Sequence, residues 1–285
     1  MKLASFDVGG EVRVGIVAGD RLIDLSQAAP ALPVDMARLI AAWDQIEHDV
    51  RRIAEDGKTH FALKDVHFLA PVPRPQKILA IGLNYADHVA ETGRTLPDRQ
   101  VWFSKLPSAV NGPFDAIQRP KVSADVDYEA EMVAIIGKRC RHVAREDAAS
   151  VVFGYCCGND VSVRDWQRHT PQWILGKSFD SHAPMGPWVT TADEVGDPHA
   201  LGIRCFVNGE KRQDSNTRHL IFSVPDQIAL LTQAITLLPG DCIFTGTPSG
   251  VGMAMNPPRY LKPGDVVRVE IDKLGALEAG VEAER

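Results

Sequence analysis

Three carboxylates carry the strongest chemical signal in the sequence. Glu129 and Glu131 stand two residues apart at the head of the run Glu129-Ala130-Glu131-Met132-Val133-Ala134-Ile135-Ile136. In an extended chain alternate side chains share a face, so Glu129, Glu131, Val133 and Ile135 lie on one side and Met132, Ala134 and Ile136 on the other. Apolar residues on both sides mark an inner strand. Two carboxylates at its head then need a cation or a shared proton, because unpaired buried anions are costly. Taken alone, the pair fits a solvated acidic strand end equally well. Asp160 adds a third oxygen donor where the apolar run beginning Val151-Val152-Phe153 breaks into a loop. Three hard oxygen ligands with no paired His or Cys suit Mg²⁺ or Mn²⁺ and not Zn²⁺, and leave positions for water and a chelating substrate.

Cations follow closely. Arg164 stands in Arg164-Asp165-Trp166-Gln167 and Lys177 in Gly176-Lys177-Ser178. A nucleotide-binding P-loop would need Gly at position 171, where Pro171 stands, so that reading is rejected. Arg164 can pair bidentately with a substrate carboxylate, and Lys177 can stabilise developing oxyanion charge. Without such neighbours both would read as surface cations. A further pair, His88 and Glu91, lies three apart on a short predicted helix that Asn84 could cap and Gly93 could end. A His held by a carboxylate is a usable general base, whereas an exposed polar pair is the plain alternative. The segment Phe244-Thr245-Gly246-Thr247-Pro248-Ser249-Gly250-Val251-Gly252 leaves a strand as a Gly-rich loop whose N–H groups could approach an anionic ligand. His169, His182 and His219 show no metal-ligand spacing and are read as structural or surface residues.

These residues need a scaffold, and the chain is long enough for one. With 285 residues, 45% hydrophobic and 24% charged, it can bury a real core. A net charge of -6 disfavours nucleic acid, and no apolar run approaches a membrane span. The five cysteines are odd in number and lack any Cys-x-x-Cys, which points away from a disulfide framework and toward a reducing cytoplasm.

Residues 1–72 read as a small N-terminal α+β domain: hairpins around 12–17 and 21–25, then a helix over 33–55. The boundary falls in Pro71-Val72-Pro73-Arg74-Pro75. Residues 73–285 read as the larger domain, with strands over 77–81, 129–136, 151–157, 203–207, 242–245 and 266–271, and helices near 85–91 and 224–237. Pro239-Gly240-Asp241 and Pro263-Gly264-Asp265 share the chemistry of a type II turn. The class is mainly β (α+β), not alternating βαβ.

From Lys77 to Glu278 the assembled pattern resembles the fumarylacetoacetate hydrolase family. The segments that carry the likeness, in order, are Gly82-Leu83-Asn84-Tyr85-Ala86-Asp87-His88, Asp127-Tyr128-Glu129-Ala130-Glu131, Asn159-Asp160-Val161-Ser162, Arg164-Asp165-Trp166-Gln167, Gly176-Lys177-Ser178-Phe179-Asp180, Asn208-Gly209-Glu210, Gln213-Asp214-Ser215 and Thr245-Gly246-Thr247-Pro248. The resemblance implies a β-sandwich roll and a homodimer or homotetramer. It implies Mg²⁺ or Mn²⁺ on Glu129, Glu131 and Asp160, and a substrate surrounded by Arg164, Gln167, Lys177 and Thr247. It also implies a base, His88, with its partner Glu91 on a closing lid. Val163 stands where many relatives have Ala, and Ser181-His182-Ala183-Pro184 departs from the commoner run, so the pocket is expected to differ locally.

The expected reaction is hydrolysis of the C3–C4 bond of a 2,4-dioxo acid. The bacterial 2,4-diketo-3-deoxy-L-rhamnonate and fuconate hydrolases are the most similar in layout, which favours a deoxy sugar acid giving pyruvate and lactate. The alternatives are oxaloacetate decarboxylation, isomerisation or decarboxylation of a dienoic diacid from aromatic catabolism, and, outside catalysis, a 2-oxo acid-binding protein. Ureidoglycolate cleavage ranks below these.

Overall fold

The computed structural model describes residues 1–93 and 95–285. Among them the dominant element is a 12-stranded sheet that runs from the N-terminal hairpins through the centre of the chain, and a 5-stranded sheet packs beside it. The strand Ala130–Ile136 lies inside the large sheet, hydrogen-bonded to Val152–Asn159 on one side and to Cys242–Phe244 on the other. Its alternation has the consequence read from the sequence. Met132, Ala134 and Ile136 enter a core shared with Ile203, Cys205, Val267, Val269 and Leu277 of the smaller sheet. Val133 and Ile135 enter a second core with Leu3, Ile16, Leu39 and Ile40 of the N-terminal segment. A strand buried on both faces accounts for the continuous apolar run.

The hairpins around Gly9-Gly10 and Gly19-Asp20 form as expected, joining Lys2–Val8, Glu11–Ala18 and Arg21–Asp24. The first of these strands also pairs antiparallel with Ala183–Thr191, so the N-terminal strands continue the central sheet edge to edge. The single helix expected over 33–55 is two, Met36–Ala41 and Trp43–Asp56, broken at Ala42. Asp35 caps the first by accepting from the Arg38 N–H at 2.9 Å. The helix near 224 runs Val224–Ala234 and begins with a capping box between Ser223 and Asp226. The five cysteines are free and buried. Among the described residues no helix is long and apolar enough to cross a membrane.

Candidate active site

Register brings the acidic residues together. Ala130 pairs with Asn159 and Glu131 with Gly158. Just beyond, the Asp160 N–H donates to the Glu129 carbonyl at 2.9 Å, and the Glu129 N–H donates to Asn159 Oδ1 at 3.0 Å. The ends of two neighbouring strands therefore converge on one point. Carboxylate oxygens of Glu129, Glu131 and Asp160 lie within 4.8 Å of one another, and all three residues are buried.

Three buried cations face this cluster. Lys177 Nζ lies 2.7 Å from Glu129 Oε2 and 2.5 Å from Asp160 Oδ2. Arg164 Nη2 lies 2.6 Å from Glu129 Oε1, while its Nε donates to Asp127 Oδ2 at 2.9 Å and its Nη1 donates to Gln167 Oε1 at 3.0 Å. Lys105, at the end of Val101–Lys105, places Nζ 2.6 Å from Asp160 Oδ1. Burial alone would raise the Glu129 carboxyl, but Arg164 and Lys177 overcome it and hold that carboxyl well below the usual range. Burial, with Asp160 and Glu129 as like-charged neighbours, pushes the Glu131 carboxyl well above it. Burial works against the Lys177 ammonium, yet Asp160 and Glu129 keep it above the ordinary lysine value.

The donor set fits a divalent cation. Glu131 receives the Gly246 N–H at 2.8 Å, but it crowds two other carboxylates, and among the described residues no cation stands at hydrogen-bond distance from it. Counted with Asp127, four carboxylates stand against the three cations Lys105, Arg164 and Lys177. Three buried carboxylates converging on one point offer hard oxygen donors that could hold a divalent cation.

His88 opens onto the same cleft. Its Nδ1 lies 2.7 Å from Glu91 Oε1. A carboxylate only accepts, so Nδ1 carries the proton in this pair and the neutral ring leaves Nε2 as its acceptor. Glu91 Oε2 in turn accepts the Gly250 N–H at 2.8 Å, and the Ser249 hydroxyl donates to Asp87 Oδ2 at 2.8 Å. The helix Ala86–Glu91 is thus tied twice to the Gly-rich loop. Asn84, expected to cap this helix, does not: Tyr85 holds the cap position without a side-chain bond. The buried Asn84 amide clamps the loop instead, donating to the Phe222 and Thr245 carbonyls and accepting the Phe222 N–H.

The Gly-rich loop also differs from expectation. Its N–H groups serve the protein's own acids. Gly246 donates to Glu131, Gly250 to Glu91, and Gly252 with Met253 to Asp127. Gly246 is required there, since its φ is +104° and a Cβ would stand 2.6 Å from Asn84 Cβ. Thr247 lies in the cleft wall with its oxygen accepting Gln213 Nε2–H at 2.8 Å. Gln213 is fixed by two more bonds, to the Ala130 N–H and the Pro248 carbonyl, so Thr247 Oγ1 serves as an acceptor here and keeps its own proton to donate.

The cleft is narrow, with a cavity volume of about 60 Å³, and its walls include His88, Glu129, Glu131, Arg164, Gln167, Lys177 and Thr247. Asp160 completes the acidic cluster, and Glu91 stands behind His88. All nine residues read from the sequence therefore gather at one place, although Arg164 and Lys177 face protein carboxylates as their immediate partners. Sequence reasoning passed over Asp127, Lys105, Gln213, Arg168 and Trp173. Asp127 and Gln213 stand inside segments already singled out. Lys105 gave no sign, being one charge at the end of an apolar strand.

A model of the Fumarylacetoacetate (FAA) hydrolase C-terminal region matches residues 77–282. The oxaloacetate tautomerase Fahd2a, mitochondrial, of Rattus norvegicus is 43% identical over 270 residues, covering 94% of this chain and 86% of that protein. The Homo sapiens oxaloacetate tautomerase FAHD2A, mitochondrial, is 41% identical over 261 residues, covering 91% and 83%. Among solved structures, maleylpyruvate hydrolase from Sphingobium sp. SYK-6, in complex with manganese (II) ion and pyruvate, superposes with a TM-score of 0.85 at 36% identity over 100% of both chains. A fumarylacetoacetate hydrolase from Exiguobacterium antarcticum superposes with a TM-score of 0.87 at 34% identity, again over 100% of both chains.

Proposed function

The chain belongs to the fumarylacetoacetate hydrolase family, and from that premise we propose that it moves a proton at the carbon beside the carbonyl of a short 2-oxo acid, with keto–enol interconversion of oxaloacetate as its reaction. The observation that carries the reading is that the His88–Glu91 pair and the acidic cluster open onto one cleft. Likeness to oxaloacetate tautomerases over more than nine-tenths of the chain supports the choice of substrate. The deoxy sugar acid favoured by the sequence draws no support from the relatives named above, and the weight moves to the alternative substrate, oxaloacetate, with tautomerisation in place of the decarboxylation read from the sequence.

In this reading Glu129, Glu131 and Asp160 hold Mg²⁺ or Mn²⁺, which when bound supplies Lewis-acid polarisation of the 2-oxo group and stabilisation of enolate charge. Ketonisation removes the proton from O2 of the enol and adds one at C3, so atoms and charge balance without a co-reactant. His88 Nε2 takes and returns that proton, its ring held in one tautomer by Glu91. Lys177, kept protonated by its acidic neighbours, offsets negative charge that spreads over the substrate. The Thr247 hydroxyl donates to a substrate oxygen, and Arg164 with Gln167 shapes the wall beside Glu129.

The test follows the enol absorbance of freshly dissolved enol-oxaloacetate with the Mg²⁺- or Mn²⁺-supplemented protein, with pyruvate assayed in parallel. Accelerated loss of enol without pyruvate is the expected result. Pyruvate formed in step with oxaloacetate loss would make the protein a decarboxylase. A second reading, hydrolysis of an acylpyruvate, is supported by the likeness to maleylpyruvate hydrolase. It would use the same His88 to activate water, and pyruvate release from maleylpyruvate exceeding the enol rate would favour it.

A further inference from the structure

The short helix Arg164–Arg168 follows the Asp160 loop. On a helix, residues three and four apart share a face, so Arg164, Gln167 and Arg168 project together, and all three line the cleft. The first two are committed within the protein: Arg164 to Asp127 and Glu129, and Gln167 to Arg164. Arg168 is placed differently: unlike the buried Arg164, it is exposed, at the open side of the cleft. Its Nε donates to the Arg164 carbonyl at 3.1 Å, the Tyr260 hydroxyl is a polar neighbour, and among the described residues no carboxylate lies within ion-pair distance of it. The cleft that Arg168 lines also has apolar walls, contributed by Leu83, Phe103, Trp173 and Met253. The buried Lys105, Arg164 and Lys177 each face a carboxylate; among the described residues Arg168 faces none and turns its guanidinium to the solvent-open part of the cleft.

We propose that Arg168 is the specificity residue that receives the distal carboxylate of the substrate, and that the cleft is built for dicarboxylic 2-oxo acids. The proposal rests on the 2-oxo acid reading above and deepens it. With its C1 end at the acidic cluster, a 2-oxo acid would meet Arg168 by its far end, since the cluster and Arg168 line one cleft. A planar guanidinium with unused N–H donors meets a carboxylate through two parallel hydrogen bonds. A methyl at the same place would leave that guanidinium without an anion to meet.

The experiment compares two acids of equal chain length, oxaloacetate and 2-oxobutyrate, in which C4 is a carboxylate or a methyl. Binding to the Mn²⁺-loaded protein is measured by calorimetry for wild type, Arg168→Met and Arg168→Lys, with keto–enol kinetics alongside. Arg168→Met is expected to weaken oxaloacetate by about tenfold to a hundredfold, the range for a hydrogen bond to a charged group. It should leave 2-oxobutyrate unchanged and raise KM with kcat little altered, and Arg168→Lys should recover part of the loss. Equal weakening of both acids would make Arg168 a support for Arg164 and overturn the proposal, as would no change in either. If wild type binds neither acid, the 2-oxo acid reading itself falls, a result distinct from failure of the Arg168 assignment.

Discussion

Lys105 Nζ and Asp160 Oδ1 stand 2.6 Å apart with both side chains wholly excluded from solvent. Burial holds this ammonium below the ordinary lysine value, although Asp160 pulls it the other way. Such a pair contributes little over an apolar substitute, but breaking it strands a buried charge, at about 3–5 kcal/mol. Asp160 keeps Lys177 as a partner, so Lys105→Met should lie near the lower end, a loss of about 3 kcal/mol in urea denaturation. Saturating Mn²⁺ should shrink the loss, because a bound cation serves Asp160 in place of the ammonium. A difference under about 1 kcal/mol would mean the pair is not the constraint its geometry suggests.

Glu131 gives a prediction with two sides. Its carboxyl is pushed up by burial, Asp160 and Glu129, so a neutral isostere suits the metal-free protein. Glu131→Gln keeps an oxygen for the Gly246 N–H and should leave the chelator-treated protein as stable as wild type or more so. The same change should remove most of the rise in Tm that Mn²⁺ gives wild type, where a ligand at a hundred times its Kd adds about 2.7 kcal/mol. An undiminished rise in Glu131→Gln would show that the ion does not depend on this carboxylate.

The contrast between Glu131 and Lys105 shows where sequence reasoning succeeds. Alternation places Glu129 and Glu131 on one face of an inner strand whatever the rest of the chain does, and the strand is found buried on both faces. Partners across the sheet obey no such local rule. The strand Ala183–Thr191 carries Pro184 and Pro187, which hid its period, yet it joins the N-terminal strands to the centre. The Gly-rich segment after Phe244 is legible as a loop, but the target of each N–H depends on which acid tertiary packing brings near. Arg168 was legible in principle, four residues after Arg164, once a helix was assumed there.

His182 makes stability depend on pH. It is fully buried, its Nε2–H donates to the Gln118 carbonyl at 2.8 Å, and among the described residues its Nδ1 has no hydrogen-bond partner. Burial lowers its pKa from 6.5 to about 3. Between those values the unfolded chain binds a proton that the folded protein refuses. The contribution is therefore fully present above pH 6.5 and is lost as the pH falls, by up to about 1.4 kcal/mol per unit. His182→Gln keeps an N–H for Gln118 and removes the titration. Denaturant stabilities at pH 7.5, 6 and 5 should show a shallower decline in the variant, and parallel declines would place the acid sensitivity elsewhere.

Glu91 uses both oxygens, one for His88 Nδ1–H and the other for the Gly250 N–H. A glutamine has one oxygen, so Glu91→Gln must turn its NH₂ toward one of those donors. Facing Gly250, it loosens the loop that carries Thr247. Facing His88, it favours the ring with its proton on Nε2, which cannot accept from a substrate. Either way the base is impaired while the metal ligands and Arg168 stay in place. Enol–keto turnover of oxaloacetate should fall by about 10²–10⁴ in Glu91→Gln and by a similar factor in His88→Ala, with Kd for oxaloacetate within a few-fold of wild type. Because the two act as one unit, the double variant should be no slower than His88→Ala alone. Losses that multiply in the double variant would show that Glu91 acts on the reaction independently of the His88 ring.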